Sequence, residues 1–122
     1  MNISVKKVLI VDDAVFMRMV LKDILSKLDF QIVAEASDGE EAITKYEEFH
    51  PDLTTLDLIM PKMDGLQTLK AILSVDKDAK VIICSASGQH AKVQEALSIG
   101  AKDFIVKPFN PNKVSTIMKR YA

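Results

Sequence analysis

Five short apolar runs punctuate the chain: VLIV (8–11), IVAEA (32–36), LTTL (53–56), VIIC (81–84) and FIV (104–106). Each is followed by a longer stretch in which apolar residues recur every three or four positions. Strands of this kind, apolar almost without interruption, suit a sheet covered by helices on both faces, because both sides of every strand are then removed from water. The repeated strand-then-helix order predicts an α/β fold built on a parallel sheet.

The helical stripes are explicit. Met17, Val20, Leu21, Ile24 and Leu28 line one face of the first segment, and Ala42, Ile43 and Tyr46 do the same in a second that begins near Gly39. Leu66, Leu69, Ile72 and Leu73 follow Asp64-Gly65. Val93, Ala96, Leu97 and Ile99 precede Gly100, which reads as a C-terminal cap before the last strand. Val114, Ile117 and Met118 predict a short final helix. At 122 residues one domain accounts for the whole chain, with a core large enough to need no disulfide or structural metal.

A formal net charge of −1, with acids and bases interspersed, provides no basic stripe for nucleic-acid binding. The apolar runs are far too short to span a membrane, and MNISVKK lacks the apolar core of a signal peptide, so a cytoplasmic location is expected. Cys84, the one cysteine, follows Val81, Ile82 and Ile83 and reads as a buried strand residue. His50 and His90 have no ligand partners at metal spacing and read as surface residues, while Met60 and Met63 flank Pro61 and are expected to pack locally.

Ligands of such folds gather beyond the carboxyl ends of the strands. There stand Asp12 and Asp13 after the first run, Asp57 after the third, Ser85 and Ala86 after the fourth, and Lys107-Pro108 after the fifth. Singly each has an ordinary reading, as a helix cap, a turn residue or a solvated lysine. Together they put three carboxylates near one another, and at about 5 Å in an effective dielectric near 20 each pair repels by roughly 3 kcal/mol. A hard divalent cation resolves this, and Mg²⁺ typically takes one or two carboxylates with waters and a phosphoryl oxygen. Asp12-Asp13-Ala14 occupies the place where a nucleotide-binding turn would have glycines, so a bound nucleotide is not expected. Asp57, between its partners, is the candidate phosphoryl acceptor, with Lys107 supplying a cation and Ser85 a hydroxyl.

VLIVDD, LTTLDLIMPKMDG, VIICSAS and GAKDFIVKPF together resemble the response-regulator receiver domain over essentially the full length. DDAVFMR and AKDFIVKPF are most similar to its single-domain chemotaxis members. The resemblance implies a doubly wound five-stranded parallel sheet in the order 2-1-3-4-5 with five helices, forming one receiver domain over residues 1–122 with no output domain. It implies that a histidine kinase phosphorylates Asp57 and that Asp13 and Asp57 bind Mg²⁺ directly. Asp12 would bind it directly or through water, and Ile59 would add its backbone carbonyl. Ser85 and Lys107 would contact the phosphoryl oxygens, Ser85 and Phe104 would form a conformational switch, and Lys107-Pro108 would be cis.

The implied partners are a chemotaxis-type histidine kinase, the flagellar motor switch and a phosphatase, acting on a monomer that transmits a signal rather than turning over a substrate. The docking face would lie around Phe104, on the fourth helix, fifth strand and fifth helix. A sporulation-type phosphorelay intermediate is the alternative within the family. An aspartate-nucleophile phosphohydrolase is disfavoured, since its second aspartate would fall at Ala14.

Overall fold

The computed structural model describes residues 5–122. Five strands and five helices alternate: β1 Lys7–Val11, α1 Val15–Lys27, β2 Gln31–Ala36, α2 Gly39–Phe49, β3 Leu53–Asp57, α3 Gly65–Val75, β4 Val81–Ser85, α4 His90–Ile99, β5 Asp103–Val106 and α5 Pro111–Tyr121. All strand pairs are parallel and the sheet order is β2-β1-β3-β4-β5, as the resemblance implied.

Strand alternation sorts the apolar runs into two cores. Leu9, Val11, Leu56, Val81 and Ile83 face α2, α3 and α4, where Ala42, Tyr46, Leu69, Ile72, Val93 and Ala96 meet them. Val8, Ile10, Leu53, Ile82, Cys84 and Ile105 face the other way, against Leu21 and Leu25 of α1 and Val114 and Met118 of α5. Full burial of each such Leu, Ile or Val side chain is worth about 1.5–3 kcal/mol, so the two cores hold helix layers against both faces of the sheet. The central strands β3 and β4 are buried throughout, whereas β2 and β5, at the edges, are only partly covered. The charged residue in β2, Glu35, is tolerated on that account.

Helix starts follow local chemistry. Asp38 caps α2 by accepting from the Glu41 N–H, and Asp64 and Gln67 form a reciprocal capping box on α3. Asn110 caps α5 with Pro111 at the first turn. The start of α1 differs: its N-cap is Ala14, with no side-chain cap bond. The two acids before it are therefore not spent on capping the helix. Gly100 ends α4 with a positive φ of 141°, where its N–H donates to the Ala96 carbonyl, confirming the expected stop. Cys84 is buried, His50 and His90 are exposed, Met60 lies in the core, and the Lys107-Pro108 bond is cis.

Candidate functional site

Because β1 is flanked by β2 on one side and β3 on the other, the connections leaving β1 and β3 run to opposite faces, α1 to one and α3 to the other, opening a crevice at the carboxyl ends of these two strands. Asp12 emerges directly from β1 and Asp57 is the last residue of β3. Asp12, Asp13 and Asp57 each place a carboxylate oxygen within 4.8 Å of the others. Asp12 and Asp57 are buried while Asp13 is exposed to solvent.

Lys107 closes the cluster from β5. Its ammonium donates to Asp12 Oδ2 at 2.7 Å and lies 3.4 Å from Asp57 Oδ1. The Lys107 N–H donates to the Ser85 carbonyl at 2.7 Å, so the end of β5 is tied to that of β4 beside the acids. Burial raises the Asp57 pKa above the usual carboxylate value, and the neighbouring Asp12 adds to this while Lys107 opposes it. Burial disfavours the Lys107 ammonium, but its hydrogen bond to Asp12 and the charge of Asp57 outweigh that and raise its pKa.

The approach of α3 to this strand end depends on Gly65. A Cβ there would lie 2.5 Å from the Asp57 carbonyl oxygen and 2.5 Å from the Leu58 Cα, backbone atoms that cannot move aside cheaply. The Gly65 N–H in turn donates to the Leu58 carbonyl at 2.9 Å. Ile59, in the same loop, keeps its side chain exposed at the rim of the site.

Ser85 is buried at the end of β4 and lines a small cavity of about 80 Å³ with Gln89, Val93 and Phe104. Phe104, which packs against the core of α2, α3 and α4, also borders a larger hollow of about 390 Å³ between β5 and α5. The Ala86 N–H, next to Ser85, donates to Gln89 Oε1 at 2.9 Å.

The donor set fits a hard cation. Three carboxylates without histidine or thiolate offer the all-oxygen environment that Mg²⁺ or a similar ion prefers. One positive charge, Lys107, faces three negative ones, leaving the cluster with an excess of anion that a divalent ion would offset.

Residues 8–119 match the response regulator receiver domain. The chain belongs to the response regulator receiver domain family. Among this receiver's relatives, the chemotaxis protein CheY of Thermotoga maritima is 55% identical over 117 residues, covering 96% of this chain and 98% of the relative. The CheY of Bacillus subtilis is 55% identical over 108 residues, with 88% and 90% covered. The CheY in a CheX-CheY-BeF3-Mg²⁺ complex from Borrelia burgdorferi superposes with a TM-score of 0.90 at 44% identity, covering 96% of the receiver and 90% of that chain. These likenesses make the protein a chemotaxis-type response regulator.

Asp12, Asp13, Asp57 and Lys107 thus come together as the sequence reading expected, with Ser85 on the adjoining strand. Two residues of the surroundings were not anticipated. Arg18 donates from one guanidinium nitrogen to the Asp12 carbonyl at 2.5 Å and from Nε to Glu35 at 3.1 Å. The available signal was Glu35, an acid inside an otherwise apolar strand run, which calls for a cationic partner.

Proposed function

We propose that the protein is a phosphorylation-controlled switch in which Asp57 accepts a phosphoryl group from a phosphohistidine of a chemotaxis-type kinase. The observation that carries this reading is the convergence of Asp12, Asp13 and Asp57 within 4.8 Å, faced by Lys107. A carboxylate oxygen of Asp57 attacks phosphorus as the donor's N–P bond breaks. An O–P bond forms, and the released imidazole nitrogen keeps its electron pair and takes a proton from water. The product is an acyl phosphate.

Such transfer asks the protein mainly to position groups and neutralise charge. Mg²⁺, held by Asp13 and Asp57, by Asp12 directly or through water, and by the Ile59 carbonyl, would supply charge neutralisation between carboxylates and phosphoryl oxygens. Lys107, already 3.4 Å from Asp57, is placed to donate to an arriving phosphoryl oxygen. The Ser85 hydroxyl donates to another, and its movement leaves space into which Phe104 turns. The small cavity bordered by both residues supports that coupling. Phe104 has no hydroxyl, so the switch works by packing rather than by a hydrogen bond from the ring.

The output follows from the face around Phe104, where β5 and α5 border the larger hollow. We read the target as the flagellar motor switch and the whole as one receiver domain acting without an output domain of its own. The similarity to CheY proteins over nearly their full length supports this, and a phosphatase is the expected means of resetting the signal. A pull-down with and without a phosphoryl mimic at Asp57 tests the assignment. Retention of a motor-switch peptide in the mimic-bound state alone supports it. Retention of a histidine phosphotransfer protein instead moves the receiver to a sporulation-type phosphorelay.

A further inference from the structure

We propose that Arg18 is a positioning residue for the acidic pair, and that Glu35 on the edge strand holds it in that role. The inference rests on the metal-assisted reading of the site given above. Asp12 is fastened at every polar group. Its N–H donates to the Ala36 carbonyl at 3.0 Å, Oδ1 accepts from the Ala14 N–H at 2.9 Å, and Oδ2 accepts from Lys107. Its carbonyl accepts from Arg18 at 2.5 Å. That carbonyl belongs to the peptide joining Asp12 to Asp13, so its orientation sets where the Asp13 side chain leaves the backbone.

Asp13 is exposed, and it lies in the loop ahead of an uncapped helix. The placement of this one ligand therefore depends on the peptide that Arg18 grips. Arg18 is itself fixed from behind: Nε donates to Glu35 Oε1 at 3.1 Å, and Lys22 engages Glu35 Oε2 at 3.0 Å. The planar guanidinium serves both the strand carboxylate and the loop carbonyl, which a lysine ammonium on a flexible stem does less well. Groups that orient the ligands of a metal site commonly matter to its affinity without touching the ion.

Charge and position make opposite forecasts here. Removing a cation beside a divalent-metal site should tighten metal binding if charge alone matters. It should weaken binding if Arg18 acts by orienting the loop. Mg²⁺ titration by calorimetry on the full chain, with wild type, Arg18→Met, Arg18→Lys and Lys22→Met, separates them. Arg18→Met is expected to raise the Mg²⁺ Kd by about 10-fold, the lower end of what loss of a ligand-orienting group costs. Arg18→Lys should fall between it and wild type, and Lys22→Met should remain within about twofold, as expected for an exposed ion pair.

In the metal-free protein, amide exchange at Ala14, whose N–H bonds to Asp12 Oδ1, should speed up in Arg18→Met but not in Lys22→Met. An unchanged or lower Kd in a folded Arg18→Met, or full rescue by Arg18→Lys, overturns the proposal. If Arg18→Met does not fold, Arg18→Lys decides it alone: weaker binding upholds it and wild-type binding overturns it. Failure of the wild type to bind Mg²⁺ would instead refute the functional reading on which the proposal rests.

Discussion

Lys107→Met keeps the length of the side chain and removes its charge from a site where Asp12 Oδ2 is 2.7 Å away and Asp57 Oδ1 is 3.4 Å away. Breaking a buried ion pair by deleting one partner costs about 3–5 kcal/mol. The Lys107 side chain is 17% exposed and the pair reaches solvent at the rim, so the lower end of that range, about 3 kcal/mol, is expected at pH 7.5 in chelator. The loss is electrostatic and so should be reversible by two routes. The folded pKa of Asp57 is already raised by burial, and loss of Lys107 raises it further. A carboxyl raised in the folded state binds protons more tightly there than in the unfolded chain. Its ionisation therefore destabilises the fold above the folded pKa. That penalty is relieved as pH falls through the folded value and is gone below the unfolded value of about 4. Saturating Mg²⁺ should have the same sense, adding about 1.4 kcal/mol at a concentration ten times its Kd. Urea unfolding of both proteins at pH 7.5 and pH 5, with and without Mg²⁺, reads all of this. A variant as stable as wild type in chelator, or a deficit that neither acid nor Mg²⁺ reduces, would refute the reasoning.

Gly65→Ala should destabilise the protein by about 2 kcal/mol despite alanine's better helix propensity, because the added methyl meets the backbone of Asp57 and Leu58. Thermal unfolding checks this, and phosphorylation should fall with it. Thr54→Val should raise stability by about 1 kcal/mol, since the buried Thr54 hydroxyl has no hydrogen-bond partner among the described residues and valine fills the same space; a lower melting temperature would contradict it. Ile59→Asn should speed phosphate release from the phosphorylated form, as the exposed isoleucine at the rim is replaced by a group that can orient water. An unchanged hydrolysis rate would show that the Ile59 side chain does not hinder the attacking water.

The sheet was legible because its strands are apolar on both sides and its helices carry continuous stripes, so Leu9 and Ile10 could be assigned to a strand before it was known that they face different cores. The edge position of β2 was less visible, for only Glu35 and its partial burial mark it. The site candidates could be named from their places after strand ends, but their contacts could not. Lys107 reaches Asp12 across 95 positions, and that contact exists only because β5 is brought near by the order of the sheet. The role of Arg18 was hidden for a related reason: a charged position on α1 outside its apolar stripe says nothing about the Asp12 carbonyl or the neighbouring strand it bridges. The buried Thr54 and Thr55 hydroxyls were likewise invisible, because threonine in a strand is ordinary until its partners are counted.

On the proposed mechanism, Asp57 accepts a phosphoryl group with the help of a divalent metal. The most direct test is incubation with a phosphoramidate donor, followed by intact mass measurement and peptide mapping. One phosphoryl group should appear on Asp57 in Mg²⁺, and none in excess chelator or in Asp57→Asn. Equal incorporation without a divalent ion, or undiminished incorporation in Asp57→Asn, would contradict the account.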